Sequence, residues 1–529
     1  MARITKVIQL GGSQLLLQAD LSAQFTFQYF PLKTPEDVLA MEDELVENNA
    51  IKGKYQTAVF LLGIQSFAYL MPELLQKLPA HQIIYDQAGQ LPPEIEELLQ
   101  TKLAKPVDLQ DRLELARFIE EVFFGGQYGV RLGFEQLEIT PAFKGCATQL
   151  GNGRLTLGPV ELEHWTQAIN ERMTLALEPN TNFEFWPEFD LNSEAAVQFK
   201  LYLLDQTGQE VLDYLVVDGA AVCEQAYRFR TPTQSCMLYV SVFLQGQVTK
   251  FNLQNLHIRK YRRQFGTYLV DTQMITDPVN GHGQVAAYFN PGDGHPPLNV
   301  YFSGFRTAEG FEGNRMMSQL GDGHAPFLLI ADERLAGGAF YIGSPEFEAA
   351  VIQTIQACLN QLHLSSHDLI LSGLSMGTTA ALYYAANLEP HAVIVGKPLV
   401  NLGTIAANER INRPHQFETS LDLLLLREGA TDQAAQTRLN QYFWDNFATG
   451  DFTQTTFAIA YMRQDDYDTQ AFHDLFRYLK DANPFTRILY KGLTGRHNDD
   501  TSGVVAWFQR QYENILASDF KRKGGVDAE

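Results

Sequence analysis

The stretch "DLILSGLSMGTTAALYYAANL", residues 368–388, constrains the fold more than any other part of this chain. It reads as a short apolar β run, then Gly373-Leu374-Ser375-Met376-Gly377, then at once an alanine-rich helical pattern. That order commits the segment to a buried strand, a tight turn and a helix that packs back on the strand. Two glycines flanking a serine remove side chains where the turn is tight and where helix and strand come close. A serine there sits at a helix N-terminus, whose free amides favour developing negative charge. The bland alternative is a glycine-rich connection with an incidental serine; the strand and helix on either side favour a nucleophile elbow.

The same alternation extends on both sides. "LNVYFSGF", "FLLIADE", "AVIVGKPL", "FAIAYMRQDD" and "RILYKGL" are apolar runs of parallel-sheet type, separated by helical patterns such as "SPEFEAAVIQTIQACLNQL". Residues 265–520 are therefore expected to form an α/β-hydrolase-like domain with a doubly wound sheet of about eight strands. About fifty residues between "GKPLVNLG" and "TTFAIAYM" carry helical patterning, which predicts a helical lid insertion over about 402–453. Tyr442, Phe443 and Trp444 within it either pack the lid or line an acceptor cleft; packing is favoured.

Upstream, the pattern changes twice. Residues 1–145 alternate strands ("KVIQLGG", "TAVFLLG", "HQIIYDQ") with acidic-start helices ("TPEDVLAMEDELVENN", "PPEIEELLQTKLA"), predicting a small α/β domain. "LGG" after the first run is not a dinucleotide fingerprint. Residues 150–262 are short alternating runs with turn signals, such as "NFEFWPEFDL", "AVQFKLYLLD" and "CMLYVSVFLQG", and predict an antiparallel β-sandwich. Such sandwiches often bind carbohydrate through aromatics. Phe183, Phe185 and Trp186 are the candidates here, against the simpler expectation that they fill the core between the sheets.

At 529 residues the chain is too long for one core, in keeping with three regions. Its net charge of -22 argues against broad binding to nucleic acid or anionic membrane. The first twenty residues lack the apolar core of a signal peptide. No run of about 18 uncharged apolar residues predicts a transmembrane helix. Four cysteines without C-x-x-C spacing read as reduced thiols, so a cytoplasmic location is expected. No H-E-x-x-H, metal-ligand cluster or phosphate loop is present, so neither a metal nor another cofactor is expected.

A serine is a poor nucleophile without a base, and in α/β-hydrolases the order is Ser, acid, His. His497, in "RILYKGLTGRHNDD", follows the last β run and is the expected base. His391, His415 and His473 are less suitably placed: before a strand, inside the insertion, and on a helix. The acid is expected after the penultimate strand, in "AYMRQDDYD". Asp465, Asp466 and Asp468 are all candidates, and Asp465 is the choice for its short offset from the strand; any of the others would be a solvated loop charge. The oxyanion hole is expected from the Met376 N–H and from the loop Gly304–Arg306, around Phe305. Arg306 is a candidate for holding substrate.

"GLSMGTTAALYYAANLEPHAVIVGKPLVNLG", "IAYMRQDDYD" and "GRHNDDTSGVVAWF" resemble the second accessory secretory proteins of the accessory Sec export system of Gram-positive bacteria. That system exports serine-rich repeat adhesins. The resemblance is close over roughly residues 265–515 and weaker upstream, where total length and domain order also fit. It implies an α/β-hydrolase-type protein of the cytoplasm, acting peripherally at the membrane export site, that O-acetylates N-acetylglucosamine on the glycosylated adhesin. It also implies a complex with the other accessory secretory proteins and delivery of the adhesin to the export ATPase. Carried over by motif, the nucleophile falls on Ser375, the base on His497 and the acid on Asp465, where the family can have glutamate. A carbohydrate esterase of the same fold and a non-catalytic scaffold of the export complex are the alternative readings.

Overall fold

A computed structural model describes residues 4–522 except 48, 49, 414, 415 and 483. Among the described residues, the N-terminal region carries a five-stranded parallel sheet in the order Phe25–Phe30, Thr5–Leu10, Val59–Leu62, Ile83–Asp86, Lys105–Val107. The three central strands are the apolar runs legible in the sequence. The two edge strands are not so legible: one alternates buried and exposed residues, and the other contains Pro106, which an edge tolerates. Pro35–Leu45 and Pro93–Thr101 are helices, the first held by a Thr34–Asp37 capping box.

The middle region is a sandwich of two six-stranded sheets. Phe183 and Phe185 are fully buried between them, and Phe183 stacks on Phe229 with centroids 5.9 Å apart. Trp186 is buried on the other face and donates from its indole N–H to the His282 carbonyl at 2.9 Å. These rings are packing, as the composition of such cores favours. The strands Gly129–Leu132 and Leu137–Ile139 pair with Phe251–Lys260 and Val160–Glu171 of the sandwich. That corrects the expectation that residues up to 145 belong with the first region.

The C-terminal region is an eight-stranded sheet. Counted along the chain, its strands are ordered 1-2-4-3-5-6-7-8. The first two are antiparallel to their neighbours and the rest are parallel. This is an α/β-hydrolase-like doubly wound sheet. Its core is contributed by both helical faces, with Tyr341, Tyr384 and Phe302 among the fully buried rings. Three helices, Leu402–Asn412, Thr419–Glu428 and Gln433–Phe447, are inserted between the sixth and seventh strands. Phe443 is fully buried, Trp444 donates to Asn401 Oδ1 at 3.0 Å, and Tyr442 stacks on Tyr383 at 5.9 Å. The three aromatics pack the insertion.

The sandwich meets this sheet through charge. The strand Phe251–Lys260 is buried on both faces. One face faces the sandwich core, and the other carries His257 and Arg259, which grip Glu309 from the loop after the third strand of the eight-stranded sheet. Tyr268 donates to the same carboxylate at 2.6 Å. Arg131 of the sandwich donates to the Glu333, Arg306 and Thr307 carbonyls. Burial opposes ionisation of Glu309, but Arg259 and His257 outweigh it and hold the carboxyl well below its usual range. The loop 304–312, which reaches Ser375, is thus held from the sandwich side.

Candidate active site

Ser375 lies where strand Leu369–Leu374 ends and helix Met376–Leu388 begins. Its φ of 52° and ψ of -120° are strained for a residue with a side chain. The turn is fixed by its backbone: Ser375 N–H donates to the Gly396 carbonyl at 2.8 Å, and Thr378 donates back to the Ser375 carbonyl. Both flanking glycines are obligatory. A Cβ on Gly377 would overlap the Phe302 carbonyl, and one on Gly373 would overlap the Gly377 backbone. Gly377→Ala is accordingly expected to destabilise the fold by about 2–3 kcal/mol, because strand backbone has nowhere to move. Chemical denaturation measures it; unchanged stability would mean the elbow is not this tight.

The structure brings the sequence-predicted residues into one hydrogen-bonded chain. Ser375 Oγ is 2.8 Å from His497 Nε2, and His497 Nδ1 is 2.8 Å from Asp465 Oδ2. With a carboxylate at Nδ1, that nitrogen carries the proton, and Nε2 is free to accept from the serine hydroxyl. His497 is buried and stacks on Tyr467, with centroids 4.2 Å apart and planes 13° from parallel. Of the other histidines, His391 pairs with Asp519 and His473 is on the helix Ala471–Ala482. His415 lies outside the described residues.

The three aspartates separate cleanly. Asp465 Oδ1 accepts from the Tyr467 and Asp468 amides, which turns the other oxygen to the imidazole. Asp466 Oδ1 accepts from the His497 amide at 3.1 Å and so anchors the histidine loop. Asp468 is buried and accepts from the Val400 and Asn401 amides and the Asn401 side chain. The expectation that the two neighbours are solvated charges is therefore corrected for Asp468, over which the loop folds, whereas Asp466 stays partly exposed and is tied through the His497 amide and Arg413.

Around Ser375 lies a cavity of about 300 Å³ lined by Gly304, Phe305, Glu312, Lys397, Phe417, Tyr467 and Asn498, among others. The Gly304 N–H donates to Glu312 Oε2 at 2.9 Å. The Phe305 and Met376 N–H groups have no hydrogen-bond acceptor among the described residues. Arg306, the sequence candidate for holding substrate, donates from its guanidinium to the Gly310 carbonyl at 3.2 Å. Among the described residues, the cation that lines the cavity is Lys397, which lies outside the motifs of the sequence. Its signal was position: it is the first residue after strand Ala392–Gly396, which neighbours the Ser375 strand. Ligands of open α/β sheets gather at such strand ends. Another cavity of similar size is lined by residues of the N-terminal and C-terminal regions around Arg262, whose guanidinium is spent on the Val122, Phe124, Gly126, Thr267 and Tyr268 carbonyls.

Burial lowers the pKa of His497 below the 6.5 usual for histidine; Asp465 opposes the shift and Lys397 adds to it. A base must be neutral, so activity is expected to rise with pH through this lowered value and to be near its plateau by neutral pH. The acid limb of a kcat/KM profile, falling below pH 6.5, checks the direction. A limb above that value would contradict it.

Comparison with known proteins agrees with this architecture. Residues 5–522 match the family model described as the accessory Sec system GspB-transporter. The chain belongs to that family. An accessory Sec system protein of Staphylococcus aureus, the second of its accessory secretory proteins, is 35% identical over 527 residues, 99% of this chain and 98% of its own length. The counterpart in Streptococcus gordonii is 34% identical, covering 86% of this chain and 88% of its own. A solved chain in the glycosylation-associated protein complex (Gap123) of Streptococcus agalactiae superposes with a TM-score of 0.84 at 34% identity, covering 99% of this chain and 100% of that one. For this accessory Sec family member, no described helix is long and apolar enough to cross a membrane.

Proposed function

We propose that this protein is a serine-dependent O-acetyltransferase that acetylates N-acetylglucosamine on a serine-rich repeat adhesin and supports the adhesin's export. The observation that carries the enzymatic part is the Ser375–His497–Asp465 chain, with both hydrogen bonds at 2.8 Å, opening on a cavity. Family membership supports the export part.

Ser375 Oγ attacks the acetyl carbonyl of a donor while its proton passes to His497 Nε2. Asp465 stabilises the imidazolium. The Met376 and Phe305 N–H groups receive the developing oxyanion. The imidazolium then protonates the departing group, leaving an acetyl ester on Ser375. A sugar hydroxyl next gives its proton to Nε2 and attacks that ester; as the acyl bond to Ser375 breaks, Nε2 returns the proton to Oγ, which releases the acetylated sugar and restores the serine. In a complex with the other accessory secretory proteins, as the name of the Gap123 assembly suggests for its relative, the chain would meet the adhesin in the cytoplasm before the export ATPase does.

Mass spectrometry of the co-expressed adhesin tests this. Ser375→Ala is expected to leave the adhesin glycosylated but without acetyl groups, whereas deletion of the whole protein also blocks export. More acetyl in the Ser375 variant would mean an esterase. Unchanged acetylation, with export failing only on deletion, would mean a scaffold.

A further inference from the structure

One wall of the Ser375 cavity has no part in the acyl-enzyme chemistry. Lys397 is 5% exposed, and its backbone is left-handed with φ at 60°, a conformation a lysine adopts at a cost. Its amide donates to the Ala460 carbonyl at 2.8 Å, which fixes where the side chain starts. The ammonium makes one hydrogen bond among the described residues, to Thr501 Oγ1 at 3.3 Å. Its other donors are unmet at the wall of a cavity, and a buried ammonium in that state calls for a ligand or water.

Glu312 lines the same cavity. Its Oε2 is engaged by the Gly304 amide, and its Oε1 accepts no hydrogen bond among the described residues. Burial lowers the Lys397 pKa, while the charges of Asp465 and Glu312 oppose that and favour the ammonium. A cation and an anion sharing one small cavity leave little net charge there, which disfavours a charged ligand. Together they offer free donors and a free acceptor. A hydroxyl is both donor and acceptor and matches that pair. Asn498, Gln416 and Thr501 add further polar groups, and Phe417 and Tyr467 supply apolar faces. Paired donors and acceptors beside aromatic faces suit a polyhydroxylated ring.

We propose that Lys397 and Glu312 form the acceptor subsite, holding a sugar hydroxyl beside acetyl-Ser375 so that transfer outruns hydrolysis. This rests on the Ser375 acyl-enzyme proposed above. Bulk water is present at about 55 M, so a sugar wins only if it is held in register, where effective molarity reaches about 10⁵ M or more.

The test is the partition of the acyl group. Wild type, Lys397→Met and Glu312→Gln are each given p-nitrophenyl acetate as donor and free N-acetylglucosamine as acceptor. Acetylated sugar and acetate are measured in the same tube. With the acetate from spontaneous donor hydrolysis subtracted, their ratio does not depend on how much of each preparation is active, so partial misfolding does not enter it. Losing one charge-assisted hydrogen bond to the acceptor is expected to lower the ratio about 10–100-fold in each variant. An unchanged ratio in either variant that turns over donor overturns the subsite. Should Lys397→Met yield no turnover, Glu312→Gln, which swaps a carboxylate for an amide of nearly the same shape, decides alone. A separate fluorophosphonate labelling of wild type distinguishes the two claims: absence of label overturns the acyl-enzyme, whereas label with an unchanged ratio overturns the subsite only.

Discussion

Ser375→Ala is expected to abolish turnover of small acetyl esters, by roughly 10⁶-fold in kcat if it behaves as the serine of other triads does. It should also abolish labelling by a fluorophosphonate. The fold should survive, because the Ser375 hydroxyl makes a single side-chain hydrogen bond, to His497, and the elbow is held by backbone and by Thr378. Thermal unfolding of the variant within a few degrees of wild type would show that the loss is chemical. Residual turnover near the wild-type rate would mean that another group attacks the donor.

The second large effect separates the aspartates. Asp465→Ala leaves His497 Nδ1 without its acceptor, and the imidazole is free to take the wrong tautomer. A loss of about 10⁴-fold in kcat is expected, together with a loss of stability, because the buried Tyr467 and Asp468 amides also lose their acceptor. Asp468→Ala should cost stability without the catalytic loss. It strands the buried Val400 and Asn401 amides and the Asn401 side chain. Each unmet buried donor costs about 1–3 kcal/mol, so the variant should unfold earlier and lose activity only in proportion to the protein that is unfolded. Asp466→Ala releases one end of the histidine loop and should fall between the two. Urea melts and ester kinetics on the three variants give the pattern. An Asp468 variant that is stable but inactive would move the acid role to that residue.

The sequence made much of this visible, for physical reasons that also explain what it hid. Strands buried on both faces, such as Leu369–Leu374 and Ala392–Gly396, are continuous apolar runs and announce themselves. The elbow was legible because the two glycines are demanded by contacts within a few residues and with one neighbouring strand. Gly129–Leu132 and Leu137–Ile139 were not legible as sandwich strands, since their partners lie far along the chain and no local periodicity records them. The choice among three close aspartates depended on which carboxylate caps its own loop, a matter of backbone path. Lys397 and Glu312 are single charges outside any motif. They meet only because the sheet brings the end of its sixth strand beside the loop that follows its third.

The central claim is that an acetyl group rests on Ser375 between donor and acceptor. The most direct measurement is peptide mapping by mass spectrometry of protein exposed to p-nitrophenyl acetate and quenched in acid. The account predicts one added acetyl on the peptide that contains Ser375, lost when N-acetylglucosamine is added before the quench. Acetylated sugar formed while that peptide stays unmodified, or acetyl carried on a different residue, would contradict it.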